Sequence, residues 1–328
     1  TGGPATQLTS HPALELRSAI SPDGSMLAFS SDRDGVTNLY VMPIRSEGDR
    51  LSSDGPIRRV TTSDRAQILS GFTPDGQALL FHAYGDPTIY RMPMMYRAPL
   101  DGGPVTALTT AHGREPRMSG TDGRVLFTRG SAPWERPAYR GSANRDIWSY
   151  TQNTGAFERV TDARSNDGQA HMRPDGSIVL VSSRDGQNDV MLMSARGDLS
   201  SARNLTKLTP APNTTIGHGV RDLTVSADGS TAAYGLWDRI QILDLTKYTP
   251  TRTDVRTTTT GDVSTLDRRL ITLDKKVSEV ARHPSGEAVA VVARGEVLVR
   301  STEDDHPTRR ITNDHARQRH IAWSPDGS

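Results

Sequence analysis

The sequence predicts an all-β fold, a β-propeller built from four-stranded antiparallel blades. Two observations carry the prediction. A turn tetrapeptide recurs: Ser21-Pro22-Asp23-Gly24, Thr73-Pro74-Asp75-Gly76, Gly120-Thr121-Asp122-Gly123, Arg173-Pro174-Asp175-Gly176, Ser226-Ala227-Asp228-Gly229, His283-Pro284-Ser285-Gly286 and Ser324-Pro325-Asp326-Gly327. Successive copies lie roughly 41 to 57 residues apart, the period of an array of blades. The second observation is that strand-like runs recur in the same order between the turns, while no stretch holds a 3.6-residue period. Pro presets the first corner of each turn, Asp bonds its own backbone, and Gly accepts a positive φ.

The first unit sets the pattern. Residues 14–20 form a first strand ahead of the turn, and residues 26–30 a second strand after it. Ser31-Asp32-Arg33-Asp34-Gly35 is a hairpin signal, and residues 38–42 alternate as a third strand. A loop leads to a fourth strand over residues 56–61. Second strands recur at 78–82, 124–128, 178–182 and 288–292, and third strands at 95–98, 146–150, 190–193 and 240–243. Fourth strands recur at 105–109, 157–161, 204–209 and 309–312. Residues 5–9 read as a fourth strand without its first three, and residues 319–323 as a first strand with nothing after it. The Thr-rich stretch 245–274 reads as a junction, apolar only near residues 269–272. The ends therefore suggest a piece of a longer array, and Thr1 in place of Met suggests a processed or cut chain.

Composition narrows the function classes. The 39 Lys and Arg nearly balance the 38 Asp and Glu, which argues against a nucleic-acid surface. With no cysteine, disulfides, thiolate metal sites and a Cys nucleophile are excluded. The longest apolar runs are about six residues, so neither a transmembrane helix nor a signal peptide is expected, and no membrane partner. The lack of cysteine fits the cytoplasm, and a periplasmic protein can lack it too.

No catalytic set is expected. The chain has no G-x-S-x-G, and its nine His are scattered, several beside turns (His11, His171, His283, His320). No H-x-x-x-H or H-E-x-x-H spacing offers a metal site, Asp32-Arg33-Asp34-Gly35 is too short for a Ca²⁺ loop, and no cofactor is expected. Binding candidates come from two places. The long insertion after residue 130 carries Trp134, Tyr139 and Arg140, which either contact a ligand or pack over the blade edge. The first strand of each blade lines the axis, and counting back six residues from the turn Asp gives Arg17, Leu69, Pro116, Gln169 and Asp222, then Glu279 and His320. Charges on such strands imply a water-filled channel, or else Arg17 and Asp222 brace each other. Mixed signs suggest a channel for peptides of varied charge.

The repeats, with Pro133-Trp134-Glu135-Arg136-Pro137, Asp146-Ile147-Trp148 and Gly155-Ala156-Phe157 in the third unit, resemble the tricorn protease family; TolB and WD40-like propellers share the Pro-Asp-Gly repeat alone. The resemblance implies a six-bladed propeller over residues 1–272 with its first blade incomplete, then the start of a seven-bladed one over 273–328. It implies a serine peptidase with catalytic residues beyond Ser328, acting on oligopeptides as a homo-oligomer, its propellers gating a protease chamber. The family's arginine pair for a substrate carboxylate has one loose counterpart here, Arg65. Arg17 and Arg65 are then candidates for steering a peptide carboxylate. The alternatives are a TolB-like protein–protein interaction module and an independent enzyme acting through funnel residues.

Overall fold

The computed structural model describes residues 7–48, 50–84, 92–120, 122–162, 165–194, 202–208, 219–236, 239–255, 276–303, 306–312 and 317–327. The chain divides into two compact units, Thr1–Thr259 and Thr260–Ser328. The expected boundary at 272/273 and the apolar stretch 269–272 lie outside the described residues.

The described residues contain strands and turns and no helix. Among the described residues the first unit holds five antiparallel sheets; four are simple four-stranded meanders, and in the first the short strand Arg58–Arg59 pairs back with the third strand. Their innermost strands are Glu15–Ile20, Gln67–Phe72, Arg114–Met118, Asp167–Met172 and Arg221–Val225. The second unit holds one four-stranded sheet that starts at Val277–Arg282. These are propeller blades.

Where the turns were expected, they form with one geometry. Gly24 N donates to Ser21 O at 2.9 Å, Gly76 N to Thr73 O at 2.9 Å and Gly176 N to Arg173 O at 2.9 Å. The Asp side chain accepts from the backbone two residues on, as Asp23 does from Ser25 N at 3.1 Å. The closing Gly sits at φ 76 in the first copy and 80 in the fourth, where a Cβ would be strained.

Two regions depart from expectation. The third strand of the first blade runs to Glu47 and turns back through Arg50–Ser53 as a hairpin, where a plain loop was expected. Residues 319–323 form no strand. They are held instead by Ile321 N, which donates to Glu279 Oε2 at 3.2 Å, and Trp323 Nε1, which donates to Ala281 O at 3.0 Å. Of the expected strand at 5–9, residues 7–9 form none and residues 5 and 6 lie outside the described set.

Packing explains why the second strands read as unbroken apolar runs. Side chains alternate across a strand, and a blade that stands between two others is covered on both faces. Leu79 and Phe81 join the first blade's Ala28, Leu39 and Val41, whereas Leu80 faces the third blade's Val125 and Phe127. Ile178 and Leu180 pack with Leu126 and Ile147 of the third blade, whereas Val179 and Val181 pack with Leu223 and Tyr234 of the fifth. Each such side chain contributes about 1.5–3 kcal/mol on burial. These clusters lock neighbouring blades together and leave the innermost strands to face the axis.

Candidate functional site

Each innermost strand breaks register midway. The shifts fall between Leu16 and Ala19, Leu69 and Gly71, Arg114 and Arg117, Gly168 and His171, and Arg221 and Thr224. These are β-bulges, which twist a strand and re-aim its side chains. Arg17, Gln169 and Asp222 occupy the left-handed region at φ 51, 53 and 50. In the third blade the counted position is Pro116, whose ring forbids positive φ, and its neighbour Glu115 takes φ 56 instead.

Bulged strands of four of the five blades, the second excepted, line a cavity of about 400 Å³ in the first unit. Arg17, Arg114, Glu115, Gln169, Arg221 and Asp222 line it from the innermost strands. Trp134, Arg145 and Asn188 also belong to the wall. Arg17 Nη1 pairs with Asp222 Oδ1. Glu115 Oε2 accepts from Thr128 Oγ1 at 2.9 Å and from the Gln169 N–H at 3.2 Å. Burial pushes the Glu115 carboxyl up, but Arg145 foremost, then His82 and Arg17, outweigh it and hold the group below its usual range. Burial lowers Arg145, with Glu115 opposing, and takes Arg117 down to about 10. Burial pushes His82 down to about 4, with Glu115 opposing, and His171 down to about 3, with Arg117 adding to it.

A second set of bonds ties each blade to the one before it. Leu69 N donates to Ser30 Oγ at 2.9 Å, and Glu115 N to His82 Nδ1 at 3.4 Å. Gln169 N donates to Glu115, and Leu223 N to Gln169 Oε1 at 2.9 Å. Gln169 therefore lines the cavity and braces two blades at once.

The insertion is pinned down through its own carbonyls. Asn166 Nδ2 donates to the carbonyl oxygens of Arg136, Pro137 and Tyr139 at 3.4, 3.4 and 3.2 Å. Ser183 Oγ donates to Pro137 O at 2.8 Å, and Asn188 Nδ2 to Trp134 O at 2.9 Å. Trp134 thereby reaches the cavity wall, where the Arg221 guanidinium lies 3.5 Å from its ring centroid. Tyr139 and Arg140 stay within the insertion. The Arg136 guanidinium lies 5.2 Å from the Tyr139 ring centroid, and Arg140 Nη1 donates to Pro137 O and Tyr139 O at 3.0 and 2.9 Å.

Of the residues expected from sequence, the structure brings Arg17, Gln169, Asp222 and Trp134 together on one wall. Arg65 is exposed, its N–H donating to Ser63 Oγ at 3.0 Å, and it is absent from that wall. Sequence reasoning missed Arg114, Glu115, Arg145, Asn188 and Arg221. Arg114 and Arg221 each stand one residue before a left-handed bulge residue, a usable signal. Among the described residues no cluster of His, Asp and Glu could hold a metal ion. No described helix is long and apolar enough to cross a membrane.

Comparison with known proteins places this geometry in a family. Tricorn protease homolog 1 of Streptomyces coelicolor is 29% identical over 244 residues, which is 72% of this chain and 20% of that protein. A crystal structure of the tricorn protease matches with a TM-score of 0.67 at 20% identity, over 93% of this chain and 28% of that one. A structure of a putative TolB from Agrobacterium tumefaciens matches with a TM-score of 0.54 at 19% identity, over 74% of this chain and 80% of that one. The chain thus spans about a fifth of its curated relative. The model of the tricorn protease N-terminal beta propeller domain matches residues 1–270, and the chain belongs to that family.

Proposed function

We propose that this chain is the non-catalytic propeller region of a tricorn-like serine peptidase, and that it gates and channels oligopeptides to or from a protease chamber. One observation carries the reading, the cavity of about 400 Å³ walled by charged side chains on bulged strands. A propeller that served only as a scaffold would gain by filling its axis with apolar groups, because enclosed charges are costly unless paired or wet. Family membership supplies the peptidase context. The implied partners are oligopeptides, peptidase domains of the same protein and further copies of it, with the cytoplasm as the expected compartment. The second reading, a TolB-like protein–protein interaction module, rests on fold likeness alone.

The reading frame after Ser328 is expected to encode a serine peptidase domain. In that full-length protein Arg17→Glu is expected to slow turnover of long peptides more than short ones, with folding intact. Unchanged turnover, or equal loss at both lengths, would overturn the channel reading.

A further inference from the structure

Among its described residues the cavity wall is not electrically balanced. Four arginines, Arg17, Arg114, Arg145 and Arg221, face two carboxylates, Glu115 and Asp222. Among the wall's buried polar atoms, Arg145 Nε and Asn188 Oδ1 have no hydrogen-bond partner among the described residues. Asn188 is 2% exposed. Its amide orientation is fixed, because Nδ2 donates to the Trp134 carbonyl at 2.9 Å and a carbonyl can only accept. What the described wall presents to an occupant is therefore its excess of positive charge.

Size and chemistry narrow the occupant. At about 30 Å³ per water, a 400 Å³ cavity holds on the order of a dozen waters, or a short peptide segment. A carboxylate suits the guanidinium groups, since charge-assisted bonds to arginine are the strong ones. A neutral segment offers the guanidinium groups no such partner, and a basic segment meets repulsion.

We infer that the cavity is a selective site for short peptide segments carrying an acidic side chain, Asp or Glu. The inference rests on the channel reading and names the peptides that site retains. A free C-terminal carboxylate offers the same chemistry as an acidic side chain, so the test must separate the two.

The chain is titrated by calorimetry at low salt with four acetylated peptides. Three are C-terminally amidated, Ala-Glu-Ala, Ala-Gln-Ala and Ala-Lys-Ala, and the fourth is Ala-Gln-Ala with a free carboxylate. The Glu peptide is expected to bind about tenfold tighter than its amidated Gln counterpart, with the Lys peptide weakest. Arg114→Gln is expected to narrow the Glu-over-Gln ratio about threefold, as is raised salt, while near-UV circular dichroism stays unchanged. The wild-type ratio decides the matter even if that variant fails to fold. Equal binding of the amidated Glu and Gln peptides would overturn the inference and leave the channel reading standing. A free-carboxylate Gln peptide that matches the Glu peptide would overturn the side-chain selectivity. Failure of all four to bind would overturn both readings.

Discussion

Arg17 and Asp222 form an ion pair that joins the innermost strand of the first blade to that of the fifth, across 205 positions of sequence. Both are left-handed bulge residues, and their side chains remain 43% and 63% exposed. The pair is a solvent-exposed bridge in the cavity wall, and its two partners lie far apart along the chain.

Exposure limits what that bridge contributes to stability. Arg17→Ala is expected to cost at most about 1 kcal/mol in urea denaturation, the range of solvated ion pairs. A loss of several kcal/mol would show that the pair acts as a structural clasp.

Gln169 behaves differently. Its Oε1 is the acceptor for the N–H of Leu223, a residue only 3% exposed. Gln169→Ala leaves that N–H without its acceptor and is expected to cost about 1–3 kcal/mol. Gln169→Glu keeps an oxygen in place and should cost less. Urea titration of both variants checks the order, and equal losses would remove Gln169 as a brace.

The buried histidines make stability depend on pH. His171 donates through Nε2 to Leu223 O at 3.1 Å and is held down to about 3, against an ordinary 6.5. Below pH 6.5 the unfolded chain takes up protons that the folded chain refuses, so stability falls as pH drops toward 4. His82, at about 4, acts in the same sense. His171→Gln keeps an N–H donor without the titration and is expected to flatten the slope of unfolding free energy between pH 6.5 and pH 4. An unchanged slope would show that other groups set it.

The insertion starts at Gly130, φ 114, where an added Cβ would strike the Asn144 carbonyl and lie 2.8 Å from Arg145 Cα. Gly130→Ala is expected to lower stability by more than about 2 kcal/mol, beyond the ordinary strain of a left-handed residue. Gly102→Ala, at φ 87 with nothing within 4 Å, is the comparison and should cost about 1 kcal/mol. Thermal melts of the two variants check the difference.

The blades were legible because their signals are local. The turn at Ser21-Pro22-Asp23-Gly24 and the run 26–30 each specify their own backbone, so the strand Met26–Ser31 appears where the pattern puts it. The axial residues were legible only through their fixed distance from the turn. That rule located Arg17, Gln169 and Asp222, slipped by one at Pro116 because Asp122 stands seven residues after Glu115 instead of six, and pointed to Leu69, which lies in the core without a positive φ. Trp134 was flagged for its loop, yet its arrival at the cavity wall depends on Asn188, 54 residues away. Arg145 carries no sequence signal, since the path of the insertion and not the repeat period brings it to the wall. The 50–53 hairpin was hidden because its pairing depends on an extended third strand rather than on a recognisable turn.

The bonds made by the N–H groups of Leu69, Glu115, Gln169, Leu223 and Ile321 all run one way. The backbone donor belongs to the later blade and the side-chain acceptor to the earlier one, at Ser30, His82, Glu115 and Gln169, and again at Glu279 in the second unit. A ribosome delivers the acceptors first. Each blade that emerges during synthesis finds its docking oxygen or nitrogen already displayed by the one before it, so the array is suited to being laid down from its N-terminal end like courses of brick.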